Sequence, residues 1–320
     1  MVLRLKRIPV TLAIVTALRC SASLAAPYAY ISNQLDDSVS IIDAEKRTVI
    51  YTVKLSGKPA GIAVAPAGDK VYVSTPEAHG FSVLDAKSHG VVNKVTVSEG
   101  ALGIAVDHEG QRIYVADWYN NTVSVVSAQT LKVIKIITVG ESPSGLIVSP
   151  DNRWLYVANR GSDSVSKIST ETLTVKQTTA VGKHPFGIIT TQSGDRLYTA
   201  NVESDDVTVL DAASMKPIAT IKVGSLPYAV TLALNDSRLL VTNQTDNSVS
   251  VIDTETFKQM AVIDVGEKPE GISTHPDDRH VYVANWFDST VSVLDVKTLQ
   301  VVDTIKVGEG ARGFGQFFSK

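Results

Sequence analysis

The chain has 320 residues, 44% hydrophobic and 20% charged, with a formal net charge of −3. This is ordinary for a globular protein, and the slight acidity argues against nonspecific binding to nucleic acid or anionic lipid. A single cysteine, Cys20, excludes a disulfide framework within the chain.

The first thirty residues differ from the rest. Arg4, Lys6 and Arg7 precede an apolar run over residues 8–18, and the small residues Ser21-Ala22-Ser23-Leu24-Ala25-Ala26 follow. This is the pattern of a secretory signal, and its apolar run is too short to span a bilayer. Ser23 and Ala25 suit the small-x-small rule, so residues 1–25 are expected to be removed and residues 26–320 to be the mature protein, periplasmic or secreted. Loss of Arg4, Lys6, Arg7 and Arg19 takes the bases from 30 to 26 against 33 acids, a net charge of −7. Cys20 leaves with them, so the mature chain has no thiol for a disulfide, a thiolate metal site or a thioether haem. No later stretch resembles a membrane-spanning helix.

From residue 30 onward one step recurs: Tyr30-Ile31-Ser32-Asn33, Tyr72-Val73-Ser74-Thr75, Tyr114-Val115-Ala116-Asp117 and Tyr156-Val157-Ala158-Asn159. It continues at Tyr198-Thr199-Ala200-Asn201, Leu240-Val241-Thr242-Asn243 and Tyr282-Val283-Ala284-Asn285, and every interval is 42 residues. A fixed period of this size marks stacked supersecondary units within one body. The fourth unit shows their content. Gly145 to Val148 is a short apolar run, as in a strand buried on both faces. Pro150-Asp151-Asn152-Arg153 has turn chemistry, Leu155 to Ala158 is a second strand, and Arg160 to Asp163 is a loop. Ser164 to Ile168 alternates as a third strand, and Thr174 to Val181 is a more polar fourth. Four antiparallel strands repeated seven times are the blades of an all-β, seven-bladed propeller. A β-solenoid normally has shorter rungs, and paired sandwiches would not keep an equal period.

The mature chain opens on a second strand, Tyr28 to Ser32. It ends on Arg312-Gly313-Phe314-Gly315-Gln316-Phe317-Phe318, in the column of the first-strand glycines Gly61, Gly103, Gly145, Gly187 and Gly271. The C-terminal strand is therefore expected to complete the N-terminal blade and close the ring, leaving no open sheet edge. A closed propeller needs no partner to be stable, so a monomer is expected.

The Tyr-Val-Ala-Asn steps, the strand Ser248-Val249-Ser250-Val251-Ile252-Asp253 and the link from Val265 to Gly271 resemble the YVTN-type β-propeller repeat family, in particular its secreted bacterial YncE-like members. The resemblance spans essentially the whole mature chain and implies the propeller fold. It says little of activity: propellers of this general kind include proteins of unassigned role, seven-bladed lactonases and haem d1-binding propellers. The chain has no Gly-x-Ser-x-Gly, His-Glu-x-x-His or phosphate-cradling glycine-rich motif.

Positions alike in every blade read as scaffold. The Asn column, with Thr75 and Asp117 in it, suits loop closure by short polar side chains. The same holds for Asp43, Asp85, Asp211, Asp253 and Asp295, and the column glycines suit a backbone need. Trp154, in a column of Lys70, Arg112, Arg196, Arg238 and His280, reads as a cap over a turn.

Function on a rigid ring belongs where loops of several blades meet at the channel mouth. On one face the residue before each column glycine is Ala60, Leu102, Ser144, Phe186, Tyr228, Glu270 or Arg312. The residue after the Asn column is Gln34, Pro76, Trp118, Arg160, Val202, Gln244 or Trp286. The candidate binding residues are therefore Trp118, Tyr119, Arg160, Lys183, His184, Phe186, Tyr228, Glu270, Trp286, Phe287 and Arg312. Aromatic rings beside arginine are typical of recognition surfaces; alternatively, the rings plug the loops of adjoining blades. The six histidines occupy six different columns, so no metal centre is expected.

The leading expectation is a non-enzymatic propeller that binds a protein partner or small ligand at this mouth, with no cofactor. The alternative is a lactonase-type hydrolase or lyase using His184 as base, with Glu270 and Arg312 polarising the ester. A redox role with haem d1 or a quinone is the remote third.

Overall fold

The computed structural model describes residues 27–319; the expected signal peptide lies outside them. The chain forms seven sheets, of which five are antiparallel, have four strands and are made from consecutive sequence. In the fourth unit the strands are Pro143–Val148, Trp154–Asn159, Ser164–Ser169 and Thr174–Ala180, within two residues of the expected bounds. Helix is confined to two single 3-10 turns among the described residues, Pro76–Ala78 and Arg160–Ser162. The seven-bladed all-β propeller expected from the 42-residue period is the fold of the protein.

Alternation and burial explain why these segments are strands. The recurring tyrosines point inward between blades: Tyr30, Tyr72, Tyr114, Tyr156, Tyr198 and Tyr282 are all at most 2% exposed. Aliphatic columns of the third strands pack beside them. The outer strands face solvent on most positions, as in Thr174–Ala180. Each tyrosine also brings a hydroxyl, which must find an acceptor or remain at a desolvation cost; Tyr282 donates to Ala44 O of the next blade at 3.0 Å.

The Asn column is indeed scaffold. Asn33 Nδ2 donates to Ser38 and Ser40 hydroxyls, and Asn159, Asn243 and Asn285 repeat the pattern on the third strands of their own blades. From the other side comes the link entering the blade: Gly140 and Gly224 N–H donate to Asn159 and Asn243 Oδ1, each at 3.1 Å. The link residue must be glycine there. A Cβ at Gly140, Gly182, Gly224, Gly266 or Gly308 would lie 2.5–2.7 Å from the asparagine side chain.

Ring closure occurs where it was expected, along a less regular course. Arg312 N donates to Ser32 O at 2.8 Å, Tyr30 N to Phe317 O at 2.9 Å and Ser319 N to Tyr28 O at 2.9 Å. Between these bonds the strand Phe314–Gln316 turns away and pairs in parallel with Gly61 to Ala63 of the neighbouring blade. Gly313 and Gly315, at φ of 49° and 105°, permit the detour, since side chains are disfavoured in that region. The last inner strand thereby ties the first blade, Tyr28–Asn33, Ser38–Asp43 and Thr48–Lys54, to the next.

Trp154 has a partner that the repeat alone does not announce. Lys167 stands in a column otherwise filled by Ile41, Val83, Val125, Val209, Val251 and Val293, yet it is only 6% exposed. Its ammonium donates to Ala212 O at 2.7 Å and Ala213 O at 3.1 Å and lies 4.3 Å from the centre of the Trp154 ring. In other blades the equivalent carbonyl is served from the column of Trp154 itself: Arg112 donates to Thr170 O and Arg196 to Thr254 O. The fourth blade has moved its cation from one strand to the next, and the tryptophan stacks on the relocated charge. Burial holds the Lys167 ammonium below its ordinary pKa. Trp154→Arg alone should crowd two cations at one carbonyl and cost about 1–3 kcal/mol. Adding Lys167→Val should recover most of that loss in urea unfolding; strictly additive losses would show that the two positions are not exchanging one role.

Candidate functional site

The face carrying the candidate residues is assembled from two loop sets, and their backbones are locked. The second residue of the link, Lys58, Ser142, His184, Leu226 or Lys268, sits in the left-handed region with φ between 48° and 55°. In each case its N–H donates at 2.8–3.0 Å to a loop side chain of the preceding blade: Asp37, Asn121, Asp163, Asp205 or Asn247. Asp36, Asp246 and Asp288 likewise accept the N–H of Glu309, Ser225 and Glu267. Much of the acidity of this face is thus committed to backbone donors.

Inside this frame, four of the candidate residues come together across the axis. Phe186 is 3% exposed. Its ring lies 4.0 Å from that of Tyr228, tilted by 31°, and meets Phe314 edge-on at 5.3 Å. The Arg312 guanidinium sits against Tyr228 and Phe314, 5.9 and 5.5 Å from their centroids. Arg312 Nε lies 2.6 Å from Glu270 Oε2, and its Nη2 donates to the Tyr228 hydroxyl at 2.5 Å. Gln244 Nε2 completes the cluster by donating to Glu270 Oε1 at 2.8 Å. With the Glu270 and Arg312 side chains only 8% and 17% exposed, this is an enclosed pair. Burial pushes the Glu270 carboxyl up, against the pull of Arg312 and Gln244. Burial also opposes the Arg312 charge, but Tyr228 and Glu270 more than offset it and the guanidinium stays protonated.

The remaining candidates form a rim around this plug. Arg160 lies over Trp118 at 5.4 Å. Trp286 Nε1 is 3.4 Å from Gln34 Oε1, and Tyr119 and Phe287 project into solvent, 70% and 66% exposed. His184 Nδ1 lies 2.6 Å from Glu203 Oε1, while Lys183 is exposed. Among the described residues no hydrogen bond or ion pair joins His184 to Glu270 or Arg312. No group of three or more His, Cys, Asp or Glu among the described residues is placed to hold a metal.

Two members of the plug were not among the sequence candidates. Phe314 is the aromatic exception in an otherwise aliphatic column (Ile62, Ile104, Leu146, Ile188, Val230, Ile272), a departure that could have drawn notice. Gln244 shares the column of Trp118 and Trp286, and only its reach to Glu270 marks it out. Behind the plug runs a channel of about 690 Å³, with Phe186 and Phe314 at its closed end and the loops of the opposite face at its open end.

Comparison with known proteins agrees on architecture. Residues 104–216 match the family model described as "Lactonase, 7-bladed beta-propeller", and residues 197–314 match that of the "Cytochrome D1 heme domain". No curated protein sequence matches the chain. Among solved structures, Kuenenia stuttgartiensis hydrazine synthase superimposes with a TM-score of 0.73 at 21% identity, covering 80% of this chain and 88% of that one. A protein from Lactobacillus plantarum gives 0.78 at 16% identity, covering 89% and 97%. The dihydro-haem d1 dehydrogenase NirN, in complex with DHE, gives 0.69 at 16% identity over 90% of this chain but 65% of that one. Likeness at these identities speaks for the propeller fold and not for an activity. The residues present do not fit a haem at this mouth, because Phe186, Tyr228 and Arg312 fill its centre and the rim imidazole of His184 is turned to Glu203.

The enclosed pair gives a direct expectation. Arg312→Met should leave Glu270 buried without its cation and destabilise the protein by about 3–5 kcal/mol. The double variant Arg312→Met with Glu270→Gln should recover most of that in denaturant unfolding.

Proposed function

We propose that the protein is a secreted or periplasmic YVTN-type propeller that binds a protein partner on the aromatic face of its ring, without catalysing a reaction. The observation that carries this reading is the pair Tyr119 and Phe287. Two large rings stand 70% and 66% exposed at loop tips, each following a half-buried tryptophan, around a mouth already filled by its own residues. A filled mouth offers area rather than a pocket, and aromatic residues with arginine are the usual energetic anchors of protein interfaces. The locked loops below them reduce the ordering cost of association.

The test is a photo-crosslinker placed at Tyr119, with a control at Ala67 on the opposite face, in the native exporting cell. A discrete adduct is expected from position 119 alone, lost on Phe287→Ala while the melting temperature is unchanged. Equal adducts from both faces, or none, would count against the reading.

The match of residues 104–216 to the lactonase model favours one second reading, hydrolysis at the same face with His184 as base. His184→Ala should then abolish turnover of a lactone panel. Under the binding reading the wild-type protein shows no turnover.

A further inference from the structure

The channel behind the plug opens away from the aromatic face, and its chemistry is different. Its volume of about 690 Å³ falls within the ~300–1,000 Å³ usual for small-molecule sites. The wall carries the aliphatic residues Ile104, Leu146, Ile188, Val230 and Ile272 of successive inner strands, with the hydroxyls of Thr190, Thr231 and Thr274 among them. The open end is lined by the loops that join inner to second strands. Two aspartates, Asp236 and Asp278, stand there in adjacent blades together with His108 and His275, and among the described residues no lysine or arginine lines the channel.

Both aspartates have a structural task that accounts for the side chain but not for its charge. Asp236 Oδ2 accepts the Gln192 N–H of the preceding blade at 2.6 Å, and Asp278 Oδ2 accepts the Asn235 N–H at 2.5 Å. In the fourth blade the same bond, from His108 N–H at 2.9 Å, is accepted by the neutral amide of Asn152. The contact between blades therefore needs an oxygen acceptor, which a carboxamide supplies. The second oxygen of each carboxylate makes no hydrogen bond to the described residues. Burial pushes the Asp236 carboxyl up, and the nearby Asp278 and Asp195 add to the shift. Two carboxylates are thus held at the rim of the cavity, beside the imidazoles of His108 and His275 and with no lysine or arginine among the described lining residues.

We propose that this channel binds a small amphipathic cation, its ammonium head at Asp236 and Asp278 and its apolar body against the aliphatic wall. The head gains charge complementarity in a partly desolvated setting, where it is worth more than in water, and the body gains burial. The site is on the other side of the plug from the proposed partner surface and does not depend on it.

Titration calorimetry with hexyltrimethylammonium, hexyl sulfate and hexanol at one ionic strength tests the assignment. Saturable 1:1 binding of the ammonium is expected, at least tenfold tighter than that of the sulfate or the alcohol. The variant D236N/D278N keeps both acceptor oxygens, so it should retain the wild-type melting temperature and lose at least tenfold in ammonium affinity. Ala105→Trp, which narrows the channel and leaves the rim acids in place, should weaken the ammonium likewise. No binding to the wild type, equal binding of the sulfate, or undiminished binding by D236N/D278N would overturn the proposal. So would failure of D236N/D278N to fold, which would show that the charges serve the blade contacts.

Discussion

A carboxamide at the end of the second strand can donate to two side-chain oxygens of the third strand and still meet the incoming link only if the link residue has no side chain. That coupling between asparagine and glycine sets the distance between successive blades. It holds at Asn159 with Gly140, Asn201 with Gly182, Asn243 with Gly224 and Asn285 with Gly266, and it closes the ring through Asn33 with Gly308. The two remaining blades have no such asparagine. Thr75 and Asp117 take its place, and one repeat step identifies the matching link residues as Ser56 and Ser98 instead of glycine. The pair changes together because two groups compete for one volume. The ring closes without a disulfide because the last link repeats the contact of the others with the first blade.

The sequence made the architecture legible through its period, since a blade that cannot bury its faces alone must stack on copies of itself. Individual columns were legible for the same reason: a residue that recurs at 42-residue spacing has the same neighbours each time. The site was less legible, because its residues are departures from the repeat and a departure has no copies to compare. Phe186, Tyr228, Glu270 and Arg312 could be placed on one face from their columns alone. Whether they would ring an open mouth or fill it depended on side-chain reach across the axis, and Phe314 with Gln244 decided it. Lys167 shows the same limit. Read by itself it breaks an aliphatic column; with Trp154 it restores a cation–carbonyl contact that two other blades make from the neighbouring strand, through Arg112 and Arg196.

The plug also makes the axis asymmetric. One end presents aromatic rings and Arg160, with its loop carboxylates turned to backbone N–H groups. The other opens into an aliphatic channel whose rim carries carboxylates beyond what the backbone contacts require. These differences arise although the repeat keeps constant length, without one insertion across its six intervals. Loops of mostly four or five residues are too short to form a lid and cannot fold over a ligand. Recognition by this ring must therefore rely on surfaces formed in advance. A preformed surface costs little ordering on binding, but it discriminates only by the shape and charge it already has. In a chain this regular, selectivity then rests on the few positions where one blade differs from the next. Asn152 and Asp236 occupy the same column, make the same bond and differ in charge, and such a pair separates what the ring needs to stand from what it holds ready for a ligand.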